Sequence, residues 1–198
     1  MHSDLRINAI VLAAGRSTRM GQQKLLMPYG DSTLVGSVLE NLQRGGVNDI
    51  VVVVGTDADA VRDELSGHTV RFVENPDVDR GMLSSVRCGI AAIDNADALM
   101  VALGDMPAVN EDVVRTLLAR HNRFDDAITI PTYDGRRGHP VVIGCGHRDA
   151  ILERFDDVGL RGLMQEQAAV IQEVAMNSDG VLIDLDTPED YERHGGQH

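Results

Sequence analysis

The chain has 198 residues, of which 43% are hydrophobic, 3% aromatic and none tryptophan, and it carries a formal net charge of -13 at pH 7. That length supports one well-buried core, so a single domain is expected over residues 1–198, ordered over about 7–193 with a frayed C-terminal HGGQH. The charge repels polyanions and the shortage of aromatic rings removes stacking platforms, which excludes nucleic acid and anionic membrane as partners.

In chain order, INAIVLA (7–13) reads as the first strand. The segment STLVGSVLENLQRGG then places Leu34, Val38, Leu39 and Leu42 on one helical face and closes on a glycine pair suited to a C-terminal cap. DIVVVVG (49–55) has no polar alternation, as expected of a strand covered on both faces in a parallel sheet. TVRFVE (69–74) and ALMVALG (98–104) follow as strands. NEDVVRTLLARHNR is a second helix with Asn110 as N-cap, acids in its first turn and bases in its last. AITIPTY (127–133) and HPVVIG (139–144) complete the strands. The alternation predicts an α/β fold, doubly wound, with helices on both faces of a mostly parallel central sheet. Cys88 and Cys145 lie far apart with no disulfide or zinc spacing, and MHSDLRIN lacks the apolar core of a signal peptide. No apolar run reaches bilayer length, so a cytoplasmic protein is expected.

Open α/β sheets bind ligands beyond the carboxyl ends of their strands, so the residues after each strand are the candidates for chemistry. After the first comes LAAGRSTRMGQQK, where small residues let backbone N–H groups approach an anion and Arg16, Arg19 and Lys24 supply charge without an acidic neighbour. It matches neither a Walker A loop nor GxGxxG, and it also reads as an ordinary Gly/Arg surface loop. In LGDMP, Asp105 leaves a buried run where a carboxylate can reach Mg²⁺, or simply cap a turn. DLDTPEDY offers Asp184 and Asp186 as further metal contacts, with Thr187 as N-cap and Pro188 opening a helix in which Glu189 and Asp190 are dipole charges. ENPDVDRGMLSSVRCGI carries Asn75, Gly81, Ser84 and Ser85, suited to a base or phosphate, although Ser84 equally reads as an N-cap. In GRRGHP, Arg136 and Arg137 suit phosphate or carboxylate, and His139 alone reads as a structural histidine.

Taken together and in this order, these five motifs resemble the MobA/MocA-like nucleotidyltransferases, nearest to the molybdenum cofactor cytidylyltransferase type, over almost the whole chain. The resemblance implies a Rossmann-like three-layer nucleotidyltransferase fold. It implies transfer of a nucleoside monophosphate, CMP from CTP, to a phosphorylated acceptor such as molybdopterin, with release of pyrophosphate and Mg²⁺ as cofactor. Carried onto this sequence, it makes Leu12, Ala13, Ala14, Gly15 and Arg16 nucleotide-binding and Arg19, Lys24 and Asp105 catalytic. It makes Asp105 and Asp186 metal ligands, with Asp184 an alternative. Asn75, Gly81, Ser84 and Ser85 fall at the base and ribose, and Arg136, Arg137 and His139 at the acceptor. Leu83 stands where many relatives carry a small residue.

A reaction between two anionic phosphates needs cations for positioning and electrostatic stabilisation, which accounts for a purely cationic loop in an acidic chain. Three readings follow: this transferase, with transient contact to a molybdenum hydroxylase; a relative using GTP or acting on a sugar phosphate, methylerythritol phosphate or phospholactate; and a non-catalytic nucleotide- or pterin-binding chaperone.

Overall fold

The computed structural model describes residues 5–15, 23–55, 58–123 and 126–194. Arg16, Arg19 and the tail beyond His194 lie outside them. The strands are β1 (Ile7–Ala13), β2 (Pro28–Tyr29), β3 (Ser32–Thr33), β4 (Ile50–Val54), β5 (Arg71–Glu74), β6 (Ala98–Leu103), β7 (Ile128–Tyr133), β8 (Arg136–Arg137), β9 (Val141–Gly144) and β10 (Ile171–Ala175). The helices are α1 (Leu34–Arg44), α2 (Asp59–Glu64), α3 (Met82–Ala91), α4 (Glu111–His121), α5 (Arg148–Glu153), α6 (Leu160–Glu166) and α7 (Pro188–His194).

The main sheet runs β10-β7-β9-β6-β1-β4-β5, with β8 paired to β7. Pairs β1/β4, β1/β6, β4/β5 and β7/β10 are parallel, while β9 runs antiparallel to both β6 and β7. The sheet is thus mostly parallel, and its central strands are buried on both faces. Side chains alternate between the faces: Ala9, Val11, Val52 and Met100 pack under α1 and α4, whereas Ile10, Val51, Val53 and Leu99 pack under α3, α5 and α6. Each fully buried Ile or Leu of this kind contributes roughly 1.5–3 kcal/mol by leaving water. Two half-cores on one sheet make the three layers.

Local signals act where the sequence locates them. Asn110 caps α4 by accepting from the Val113 N–H at 3.1 Å, and Gly46 follows α1 at φ +106, a conformation that favours glycine. Ser84 is not an N-cap: α3 begins two residues earlier at Met82, after Gly81 at φ +84. Strand β10 and the reversal of β9 are absent from the sequence reading. Among the described residues no helix is long and apolar enough to cross a membrane.

Candidate active site

Three residues far apart in sequence meet at the carboxyl edge of β1 and β6. Lys24 opens the 3₁₀ turn Lys24–Leu26, anchored by buried Leu25. Asp105 follows β6, where Gly104 donates its N–H to the Leu12 carbonyl at 3.0 Å. A Cβ on Gly104 would stand 3.0 Å from that oxygen and 3.4 Å from Leu25 Cδ2, so glycine permits the close approach. Asp186 arrives just before α7, which is fixed by a reciprocal capping box between Thr187 and Asp190 and by the Tyr191 hydroxyl donating to the Pro28 carbonyl at 2.7 Å.

Lys24 Nζ donates to Asp105 Oδ2 at 2.7 Å and to Asp186 Oδ1 at 2.5 Å. Burial, the largest single influence on Lys24, pulls its pKa down, but the hydrogen bonds and charges of Asp105 and Asp186 together outweigh it and hold the ammonium above the ordinary lysine range. Asp184 is exposed beside this group, with buried Leu185 between it and Asp186. Among the described residues no group of three or more His, Cys, Asp or Glu side chains could hold a metal ion. The donor set still fits Mg²⁺ or a similar hard cation: two carboxylate oxygens converge on one point, and such ions take one or two carboxylates with water and phosphate completing the shell.

Ala13 and Ala14 are buried, whereas Gly15 is exposed at the start of the cationic loop. Asn75 Nδ2 donates to Ser84 Oγ at 2.8 Å and to Ser85 Oγ at 2.9 Å, and Asn75 Oδ1 accepts from the Asp77 N–H at 2.9 Å. These three side chains bind one another and brace the turn whose Gly81, Met82 and Leu83 line a cleft of about 760 Å³.

Gly138 and His139 form the opposite wall of that cleft with Arg137, whose Nε donates to Glu173 Oε1 at 2.7 Å. Arg136 is exposed on the same short strand. His139 Nδ1 is buried and has no hydrogen-bond partner among the described residues. Burial foremost pushes the imidazole pKa down, against the Val101 backbone and the charges of Asp105 and Asp184, which raise it. Sequence reasoning missed the third wall, the segment from Asp156 to Gln165. Asp156 there accepts from Arg87 Nη1 at 2.5 Å and Arg80 Nη2 at 3.3 Å. Met82 and Val158, 51% and 55% exposed, both line this one cleft. The detectable signal was the apolar spacing of Leu160, Leu163 and Met164 before a polar stretch.

Fold and site together define a nucleotidyltransferase-type protein, with strand-end loops, a lysine and paired carboxylates at one sheet edge. The chain belongs to the MobA-like NTP transferase domain family, whose pattern matches residues 9–170. It is 32% identical to nicotine blue oxidoreductase of Paenarthrobacter nicotinovorans, over 92% of this chain and 93% of that protein. It is 25% identical to the molybdenum cofactor cytidylyltransferase of Escherichia coli K12, over 93% of each. Among solved structures, the manganese complex of Rv0371c from Mycobacterium tuberculosis H37Rv superposes with a TM-score of 0.79 at 28% identity, covering 98% of this chain and 100% of that one.

Proposed function

We propose that this protein transfers CMP from CTP to a phosphorylated, molybdopterin-type acceptor, forming a bond from the acceptor phosphate to the nucleotide α-phosphate and releasing pyrophosphate. The observation that carries the reading is the meeting of Lys24, Asp105 and Asp186 on one point. A pure carrier has no need of that combination. Similarity to a cytidylyltransferase and to a protein crystallised with manganese supports the same choice.

In this reading Leu12, Ala13, Ala14 and Gly15 present backbone to the triphosphate, while Arg16, Arg19 and Lys24 neutralise it. Asp105 and Asp186 hold Mg²⁺, with exposed Asp184 the substitute. When bound, the ion supplies positive charge at the reacting phosphoryl group. Gly81 and the wall braced by Asn75, Ser84 and Ser85 receive the base and ribose. Arg136, Arg137 and His139 face the acceptor. The acceptor phosphate is already ionised near neutral pH, so the chain needs no general base or protein nucleophile. The reading also keeps one domain over the whole chain and a cytoplasmic place of action, with transient delivery to a molybdenum hydroxylase.

The test is a screen of the four NTPs against molybdopterin and other phosphorylated acceptors with Mg²⁺, following pyrophosphate. CTP with molybdopterin should release it fastest; absence of pyrophosphate with every pair would remove the reading. A redox reading has one observation behind it, the 32% identity to a protein named as an oxidoreductase. Turnover of nicotine blue with an added electron donor, and no pyrophosphate release with any NTP, would favour it.

A further inference from the structure

The carboxylates that the proposed function gives to a metal already have a protein cation between them. Lys24 Nζ stands 2.7 Å from Asp105 Oδ2 and 2.5 Å from Asp186 Oδ1, with the lysine side chain 11% exposed. A hard dication binding the same two oxygens sits at about 2.0–2.1 Å from each. That position overlaps the ammonium, and two cations cannot share it. Removing the ammonium would take away a positive charge that both carboxylates share and strengthen their mutual repulsion.

Lys24 is held at its backbone by the 3₁₀ turn, so what can move is the flexible four-carbon stem and its ammonium. The ammonium will leave two carboxylates only for another concentrated negative charge. A nucleotide's phosphates are such a charge.

We propose that Lys24 is a built-in counter-cation that competes with the divalent metal for Asp105 and Asp186, so that metal and polyphosphate bind cooperatively through the exchange of this one side chain. The inference rests on the reading that Asp105 and Asp186 are the metal ligands. It assigns Lys24 a task before nucleotide arrives: the lysine balances the two carboxylates, which the backbone holds in place, and keeps metal out until phosphate is present. Linkage requires that the metal improve polyphosphate binding by the same factor as polyphosphate improves metal binding.

The experiment uses the full chain, Mn²⁺ as metal and inorganic tripolyphosphate as phosphate probe, with protein-bound Mn²⁺ followed by water proton relaxation. In the unmutated protein, Mn²⁺ alone should bind weakly and tripolyphosphate should tighten it within the usual coupling range of about 5–150-fold. Lys24→Met should bind Mn²⁺ alone at least about 5-fold tighter than the unmutated protein and show a correspondingly smaller coupling, the remainder coming from direct Mn²⁺–tripolyphosphate coordination. Its melting temperature should fall in chelator and recover with Mn²⁺, whereas that of the unmutated protein should ignore Mn²⁺ alone. Equal Mn²⁺ affinity in the two proteins without phosphate would overturn the exchange. If Lys24→Met does not fold, Lys24→Gln takes its place, and equal Mn²⁺ affinity of Lys24→Gln and the unmutated protein without phosphate overturns the proposal. Loss of the tightened site in Lys24→Met/Asp105→Asn supports the assigned ligands; its persistence there would show that the metal reading itself, and the exchange with it, is wrong.

Discussion

Leu185 donates its backbone N–H to the carbonyl oxygen of Asp105 at 3.1 Å, so the segment carrying Asp186 is fastened to the loop carrying Asp105. The two carboxylates are therefore positioned by backbone and not by each other. They differ in exposure: the Asp105 side chain is 21% exposed and that of Asp186 43%.

That difference sets an order of mutational effects. Asp105→Asn should nearly abolish turnover with the fold intact, because losing a metal contact at a phosphoryl centre costs roughly several kcal/mol of transition-state stabilisation. Asp186→Asn should cost less, since water can replace the more exposed carboxylate. Pyrophosphate release at saturating Mg²⁺, with circular dichroism as the control for folding, measures both. Near-normal rates for Asp105→Asn would remove the proposed mechanism.

Lys24→Ala should weaken nucleotide binding and turnover together, while Arg6→Ala leaves both unchanged. Arg6 carries the same charge but spends it on Asp97, through Nε at 3.2 Å and Nη2 at 3.3 Å, on an exposed surface. Short-range cations act in spite of the net negative field. Indistinguishable CTP titrations of the two variants would return the loop after β1 to an ordinary surface turn.

His139 gives a pH dependence whose sign is set by burial. Its folded-state pKa lies below the usual 6.5, so the unfolded chain takes up the proton first as pH falls. The stability contribution of neutral His139 is present above about 6.5 and is lost as pH drops toward the folded-state value. Urea unfolding of the unmutated protein and His139→Gln from neutral to mildly acidic pH should show a steeper decline in the former. Parallel curves would mean that this imidazole does not titrate differently on folding.

Gly104→Ala tests the approach of β1 to the Asp105 loop. The added methyl meets the Leu12 carbonyl and Leu25 with neither able to withdraw freely, and overpacking of this kind costs about 1–3 kcal/mol. Thermal unfolding should shift downward and turnover should fall with it, because Asp105 is the next residue. An unchanged melting temperature would show that the loop has room to spare.

What was legible in the sequence follows physical lines. Ile50–Val54 could be read because a strand covered on both faces has nothing but apolar residues, and α4 because its cap and charges sit at its ends. Ile171–Ala175 escaped because an edge strand half-exposed to water lacks that apolar run. The reversed β9 depends on a hairpin at Asp134–Gly135, where both residues have positive φ, +48 and +73. The Asp-Gly pair was the available signal. In the site, Lys24, Asp105 and Asp186 could be named from motif order, but their shared ion pair could not. Nor could the pairing of Arg137 with Glu173, since Glu173 lies on the missed strand β10.

Base choice is the last expectation, and it turns on Ala14. The LAAG form resembles cytidylyl-type relatives, whereas guanylyl-type relatives tend to read LAGG. Ala14 directly follows β1 and is 8% exposed. In the proposed reading the Ala14 methyl should crowd a purine more than a pyrimidine, yet one methyl-sized clash discriminates by only about 1–3 kcal/mol. Other contacts, from the Asn75–Ser85 segment, must add to it. CTP should therefore be preferred to GTP, and Ala14→Gly should relax the preference without inverting it. Steady-state assays of both nucleotides on one acceptor measure this, and a higher specificity constant for GTP in the unmutated protein would sink the assignment.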